Sequence, residues 1–150
     1  MVVMMGCATS ATCIAHRSAL QKTIALSTTA AEILSLIEAA TPIEGLRFLL
    51  AEMGMQQREP TVVYEDNQPC IAVTSDEAKP MGEHTKFYDM RVKKLKEMQF
   101  LGLIRIVCCR TASMLADLFT KNVNAVVFER LANILTGVGD TFQQLRSSLG

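Results

Sequence analysis

The chain has 150 residues, 49% of them hydrophobic and 20% charged, with 15 basic residues against 15 acidic ones. This length and apolar content fit one domain with a core of its own. The even balance gives no overall support to nucleic-acid binding, which normally rests on a basic excess that releases counterions from phosphates, although a local basic patch stays open.

Val2–Met5 is a short apolar run that reads as a central strand, beginning so abruptly that the N-terminus looks like a cut edge. Ala11–Ala15 fits a second strand after a turn over Gly6–Ser10, and Thr23–Leu26 offers further pairing. Ser27, Thr28 and Thr29 are candidate caps, and Glu32 stands three residues after Thr29, a capping-box spacing. Ile33, Leu36, Ile37 and Ala40 then recur at helical period. Pro42 interrupts them, with a second helix expected to restart at Thr41-Pro42. Leu46, Leu49, Leu50 and Met53 continue its apolar face, and Gly54 closes it.

After Pro60, Thr61–Tyr64 is β-rich and ends at Glu65-Asp66-Asn67, followed by a short helix over Pro69–Thr74 and a polar loop over Ser75–Glu83. Tyr88, Val92, Leu95 and Met98 mark the next helix, Gly102 ends it, and Leu103–Cys108 is a strand. Ser113–Lys121 reads as helical. Val127, Leu131, Ile134 and Leu135 mark a last helix that stops at Gly137, before a loose tail. This alternation predicts an α/β layer fold, a mixed sheet covered by helices.

Cys7, Cys13, Cys70, Cys108 and Cys109 form no C-x-x-C pair, and His16 and His84 complete no zinc spacing. Reduced thiols and an intracellular location (cytoplasm or nucleus) are expected, with neither a signal peptide nor a membrane span. Cys108-Cys109 reads as strand packing rather than redox chemistry.

Three acids sit where α/β active sites form. Glu32 is near a helix start, Asp66 is at the C-terminal end of a strand, and Asp117 lies among apolar residues. Gathered carboxylates repel unless cations lie between them, and Mg²⁺ suits such hard oxygen donors. Two ions roughly 3.5–4 Å apart activate water and stabilise a leaving oxygen in phosphodiester hydrolysis. Plainer readings stand beside this one. Glu32 fits a capping box with Thr29, Asp66 fits a cap for the helix near Pro69, and Asp117 fits a solvent-facing acid. Likewise Arg91, Lys93, Lys94 and Lys96 fit either a phosphate grip or a solvated helix face, and Asp89 fits a helix-start acid.

Four motifs in order link these acids. Leu20-Gln21-Lys22-Thr23-Ile24-Ala25-Leu26-Ser27-Thr28-Thr29-Ala30-Ala31-Glu32-Ile33 resembles the copia-type segment K-Q-x-T-V-A-L-S-S-T-E-A-E-Y. Tyr64-Glu65-Asp66-Asn67-Gln68 resembles Y-C-D-N-Q. His84-Thr85-Lys86 with Asp89 and Arg91 resembles H-T-K-H-I-D-I-R. Leu115-Ala116-Asp117-Leu118-Phe119-Thr120-Lys121 resembles L-A-D-I-L-T-K, and Phe128-Glu129-Arg130-Leu131 resembles the closing helix. Over residues 2 to 138 the chain thus resembles the C-terminal ribonuclease H region of copia-type LTR retrotransposon Pol polyproteins.

The resemblance implies a ribonuclease H-like fold over 1–138, with a loose tail over 139–150. It implies Mg²⁺-dependent hydrolysis of RNA in RNA–DNA hybrids during reverse transcription. Glu32, Asp66 and Asp117 would be the catalytic and metal-holding carboxylates, Asn67, Gln68, His84 and Lys86 would contact substrate, and the reverse transcriptase portion of the same polyprotein would be a partner. The family's first catalytic aspartate lies on a first strand, in an S-D-A-D-W-like segment with no match here. Ala31 replaces the first acid of the E-A-E pair, and His16 replaces a tryptophan usual after the second visible strand. The expectation is therefore a domain fragment, missing its first strand and inactive as an isolated chain. The alternative is a nonenzymatic α/β interaction module derived from a transposon.

Overall fold

The computed structural model describes residues 2–6, 11–16, 18, 25, 27–75, 88–110 and 114–136. They fall into two compact units, Thr23–Cys108 and Met1–Lys22 with Cys109–Gly150. The fold is α/β.

The Thr23–Cys108 unit is built on a long helix, α1 (Thr28–Glu52). It starts at Ser27, whose hydroxyl accepts the Ala30 amide at 3.1 Å. Ser27 outcompetes Thr28 and Thr29 as the cap, which leaves Glu32 past the first turn and outside the capping box expected with Thr29. Pro42 lies inside this one continuous helix and does not divide it in two. Pro42 and Glu38, whose carbonyl loses its amide partner, both lie on the exposed face, where water can take the amide's place. The unbroken phase fixes which side is buried. Ile33, Leu36, Ala40, Ile43 and Leu50 face inward, whereas Leu49 and Met53, expected on the apolar face, are exposed.

α1 ends in a Schellman motif, with Gly54 at φ 77°, its amide on the Ala51 carbonyl at 2.9 Å and the Met55 amide on the Leu50 carbonyl at 2.8 Å. The Arg47 guanidinium fastens the loop that follows. It donates to the Gln57 carbonyl at 2.7 Å, the Glu59 carbonyl at 2.8 Å and the Thr61 hydroxyl at 3.0 Å. Chain entry into β3 (Thr61–Glu65) is set by this clamp.

β3 pairs in parallel with β4 (Ile104–Cys108), Thr61 opposite Ile104 and Glu65 opposite Cys108. The crossover between them carries α2 (Gln68–Thr74) and α3 (Asp89–Phe100), and α1, α2 and α3 pack on one another. Val92, Leu95, Met98 and Ile104 are buried in one core with Ile33 and Leu36; each such side chain contributes roughly 1.5–3 kcal/mol. α3 ends as α1 does, with Gly102 at φ 67° and the Leu103 amide on the Met98 carbonyl at 2.9 Å.

In the other unit β1 (Val2–Gly6) pairs antiparallel with β2 (Ala11–His16), with an irregularity between Val3 and Met4. A 3-10 helix (Leu115–Phe119) stands where a longer helix over Ser113–Lys121 was expected. Leu115 and Leu118 are only half-buried there and pack on α4 (Ala125–Thr136), whose Leu131 and Ile134 are buried. A five-residue turn with no fully buried side chain lacks the packing that sustains a longer helix. His16 stacks on Phe119, ring centroids 5.0 Å apart, and the Ser18 hydroxyl donates to the Phe119 carbonyl at 3.2 Å.

Among the described residues the sheet is thus two two-stranded pairs, one antiparallel and one parallel, in place of the single mixed sheet expected. No described strand pairs with members of both. The turn at 7–10, most of Thr23–Leu26, the loop at 76–87 and the tail at 139–150 lie outside the described residues.

Candidate active site

The C-terminal end of β3 brings acids together. Alternation along the strand buries Val63, exposes Tyr64 and buries Glu65, which is only 5% exposed. Glu65 Oε1 accepts the Asn67 amide at 3.0 Å. Burial pushes the Glu65 carboxyl up to about 7; its bond from the Asn67 amide pulls the other way, and the nearby charges of Glu32 and Asp66 push it further up. Glu32 on α1 and Asp66 just after β3 therefore both act on the carboxyl group between them in sequence, across a packed helix–strand contact. Cys70 is fully buried close by. Its thiol is pushed up to about 12, first by burial and then by Glu65 and Glu32, so it stays protonated and inert.

Asp66 is not the cap of α2. Asn67 takes that place, its Oδ1 accepting the Cys70 amide at 2.9 Å. Gln68 Nε2 donates to Cys108 Sγ at 2.7 Å, tying the start of α2 to the end of β4. Glu32 and Asp66 are thereby both relieved of the capping roles that competed with a chemical one.

Asp117 belongs to the other unit, in the 3-10 helix. Its side chain is 14% exposed, and its Oδ2 lies 2.8 Å from Lys121 Nζ. His84 and Lys86 lie outside the described residues. Among the described residues no three His, Cys, Asp or Glu side chains form a group able to hold a metal ion. The basic stretch of α3 is largely spoken for: Lys93 pairs with Asp89 at 2.7 Å, and Lys94 with Glu44 at 3.3 Å and Glu97 at 3.4 Å. No described helix is long and apolar enough to cross a membrane. Cys13, Cys70, Cys108 and Cys109 are free thiols.

The sequence reading missed Glu65. Its signal was period-2 alternation carried one residue beyond Tyr64, which puts Glu65 on the buried face with Val63. It also passed over Lys121 as a partner of Asp117, although i,i+4 spacing was available.

These features define an α/β protein with carboxylates placed at a helix and at the end of a parallel strand. Its curated homologues are retrovirus-related Pol polyproteins of plant transposons. The chain is 34% identical over 116 residues, 77% of its length, to the "Retrovirus-related Pol polyprotein from transposon TNT 1-94" of Nicotiana tabacum. It is 28% identical over 113 residues, 75% of its length, to the "Retrovirus-related Pol polyprotein from transposon RE2" of Arabidopsis thaliana. In each case the match spans 8% of the polyprotein. This agrees with the copia-type resemblance of its motifs. No protein-family model matches the chain, and no solved structure matches it.

Proposed function

We propose that this chain is a fragment of the ribonuclease H region of a copia-type Pol polyprotein, a domain that hydrolyses the RNA strand of RNA–DNA hybrids. The observation that carries this reading is the match to the tobacco Pol polyprotein, 34% identical over 116 residues, which agrees with the four motifs in order; beside it, the charges of Glu32 and Asp66 both raise the Glu65 carboxyl at the end of β3. A helix glutamate and a strand-end aspartate from two of the resembling motifs act on the same buried carboxyl. Neither is used as a helix cap.

In this reading Glu32, Asp66 and Asp117 are the residues that would hold Mg²⁺. Their oxygens are hard donors of the kind Mg²⁺ takes, and Asp117 already accepts one cation, the Lys121 ammonium. When bound, the metal supplies an activated water and charge stabilisation for phosphodiester cleavage. Glu65 holds the turn that presents Asp66, through the Asn67 amide. Asn67, Gln68, His84 and Lys86 contact the hybrid; since Oδ1 of Asn67 caps α2, that contact uses its amide nitrogen. The reverse transcriptase portion of the polyprotein is the natural partner. These 150 residues supply counterparts of three of the four carboxylates that the resembling family uses, and we propose that they are inactive by themselves.

The test is a hybrid-cleavage assay with Mg²⁺ on two proteins. One is the 150-residue chain. The other carries at its N-terminus the stretch that precedes the matched segment in the tobacco polyprotein. The expected result is RNA-strand cleavage by the extended protein alone, abolished by Asp66→Asn. Cleavage by the short chain that Asp66→Asn removes would overturn its assigned inactivity. Hybrid binding without cleavage by the extended protein would favour the nonenzymatic interaction module.

A further inference from the structure

The exposed side of α1 carries an apolar stripe. Pro42, Gly45, Leu49 and Met53 recur there at helical spacing with Phe48 beside them, so they are neighbours on one surface. Phe48 is 69% exposed, Leu49 54% and Met53 61%. The glycine in the middle of this stripe has no local reason to be there. Unlike Gly54 and Gly102 it has no positive φ, and a glycine inside a helix costs stability against alanine. Packing within the chain does not ask for it either: a methyl group on Gly45 would meet no described atom within 4 Å beyond its own helix turn. The missing side chain leaves a dent in the helix surface, one turn from the protruding Phe48 ring.

We propose that this stripe is a helix–helix interface between two copies of the chain, crossing at Gly45 with each Phe48 ring seated over Gly45 of the other copy. Three points name a second copy as the occupant. First, the dent and the ring lie on one face, so a two-fold axis through the crossing fills both dents in one operation. Second, the chain has a formal net charge of +0 and the stripe itself is uncharged, Arg47 being turned into its loop clamp, so copies meet without long-range repulsion. Third, the stripe offers on the order of 400 Å² per copy, a little under the roughly 500 Å² a side of a specific contact, which suits a reversible dimer in the micromolar range. Glu38 and Glu52, both exposed, lie about 10 Å along the axis on either side of Gly45. Helices lying side by side would set these acids against each other. The helices therefore cross steeply, at about 50°, and the acids splay apart.

The experiment is sedimentation equilibrium of the 150-residue chain from micromolar to sub-millimolar concentration, for the wild type, Gly45→Ala, Phe48→Glu and Val126→Glu. Gly45→Ala discriminates best, because it favours the helix of a single copy while filling the dent. The expected result is reversible dimerisation of the wild type, with the dissociation constant raised roughly five-fold or more by Gly45→Ala and at least about tenfold by Phe48→Glu. Val126→Glu, which alters a 78% exposed apolar side chain on α4, should leave it unchanged. Gly45→Ala should also raise the thermal midpoint at low concentration, so that its weaker association is not a loss of fold. A wild type that stays monomeric over the whole range would overturn the proposal. So would a dimer that Gly45→Ala leaves as tight as before, or one that Val126→Glu weakens as much as Phe48→Glu does.

Discussion

Glu65 accepts the Asn67 amide at 3.0 Å from a position only 5% exposed, so the turn presenting Asp66 hangs on a buried carboxyl. Folding raises that carboxyl from 4.5 to about 7. The folded state therefore holds the proton more tightly than the unfolded state. The resulting stabilisation is full below about 4.5 and is lost as pH rises through about 7. Its size is on the order of 3 kcal/mol at most. Glu65→Gln keeps an acceptor oxygen and removes the titration. The variant should melt higher than wild type at pH 8 and close to it at pH 4. A wild type that loses no stability against the variant between those pH values would refute this account of Glu65.

Glu32 and Ser27 should separate by phenotype. Ser27→Ala removes the cap of α1 and should cost about 1 kcal/mol in denaturant unfolding. Glu32→Gln leaves the cap intact and removes a charge that raises Glu65, so the Glu65 titration should move down from about 7. If Glu32→Gln instead destabilises as Ser27→Ala does and leaves Glu65 titrating as before, Glu32 is a structural residue.

Arg47 makes three hydrogen bonds that hold 57–61 at the entrance to β3. Arg47→Ala should destabilise by about 1–3 kcal/mol, since each acceptor loses a charged donor but part of the site reaches water. Arg47→Lys should recover only a fraction, because an ammonium lacks the planar fork. Urea unfolding midpoints of the three proteins decide this; equal midpoints would show that the loop needs no clamp.

Pro42 sits in the middle of α1 without a donor for the Glu38 carbonyl. Pro42→Ala restores that bond on an exposed face and should raise stability by about 1–3 kcal/mol, read as an increase in the thermal midpoint. A lower midpoint would mean that the helix depends on the bend that proline imposes.

Much of the fold was legible because its signals are local. The glycines at 54 and 102 close two helices with positive φ, as their positions after the periodic runs implied. The strand at 61–65 follows from Thr61-Val62-Val63-Tyr64 and the helix after it from Pro69. What failed depended on competition between neighbours. Ser27, Thr28 and Thr29 are all good caps, and only the geometry of the first turn picks Ser27, which in turn removes Glu32 from the cap. Pro42 reads as a break because propensity is local, but burial of Ile33, Leu36, Ala40 and Ile43 along one face outweighs it. Pairing between strands is nonlocal, so the division into an antiparallel and a parallel pair was not readable. The candidate site was legible as separate acids through their motifs. Glu65 was not, because the resembling motif has cysteine there and an acid at a strand end reads as a solvent-facing one.

Central to the proposed function is that Glu32, Asp66 and Asp117 are metal-holding carboxylates. Paramagnetic broadening by substoichiometric Mn²⁺ tests it directly, read by NMR at the three carboxyl carbons of the 150-residue chain. The account predicts that all three broaden together at the same Mn²⁺ concentration and that excess Mg²⁺ restores them together. Broadening at Glu32 and Asp66 while Asp117 stays sharp would contradict it.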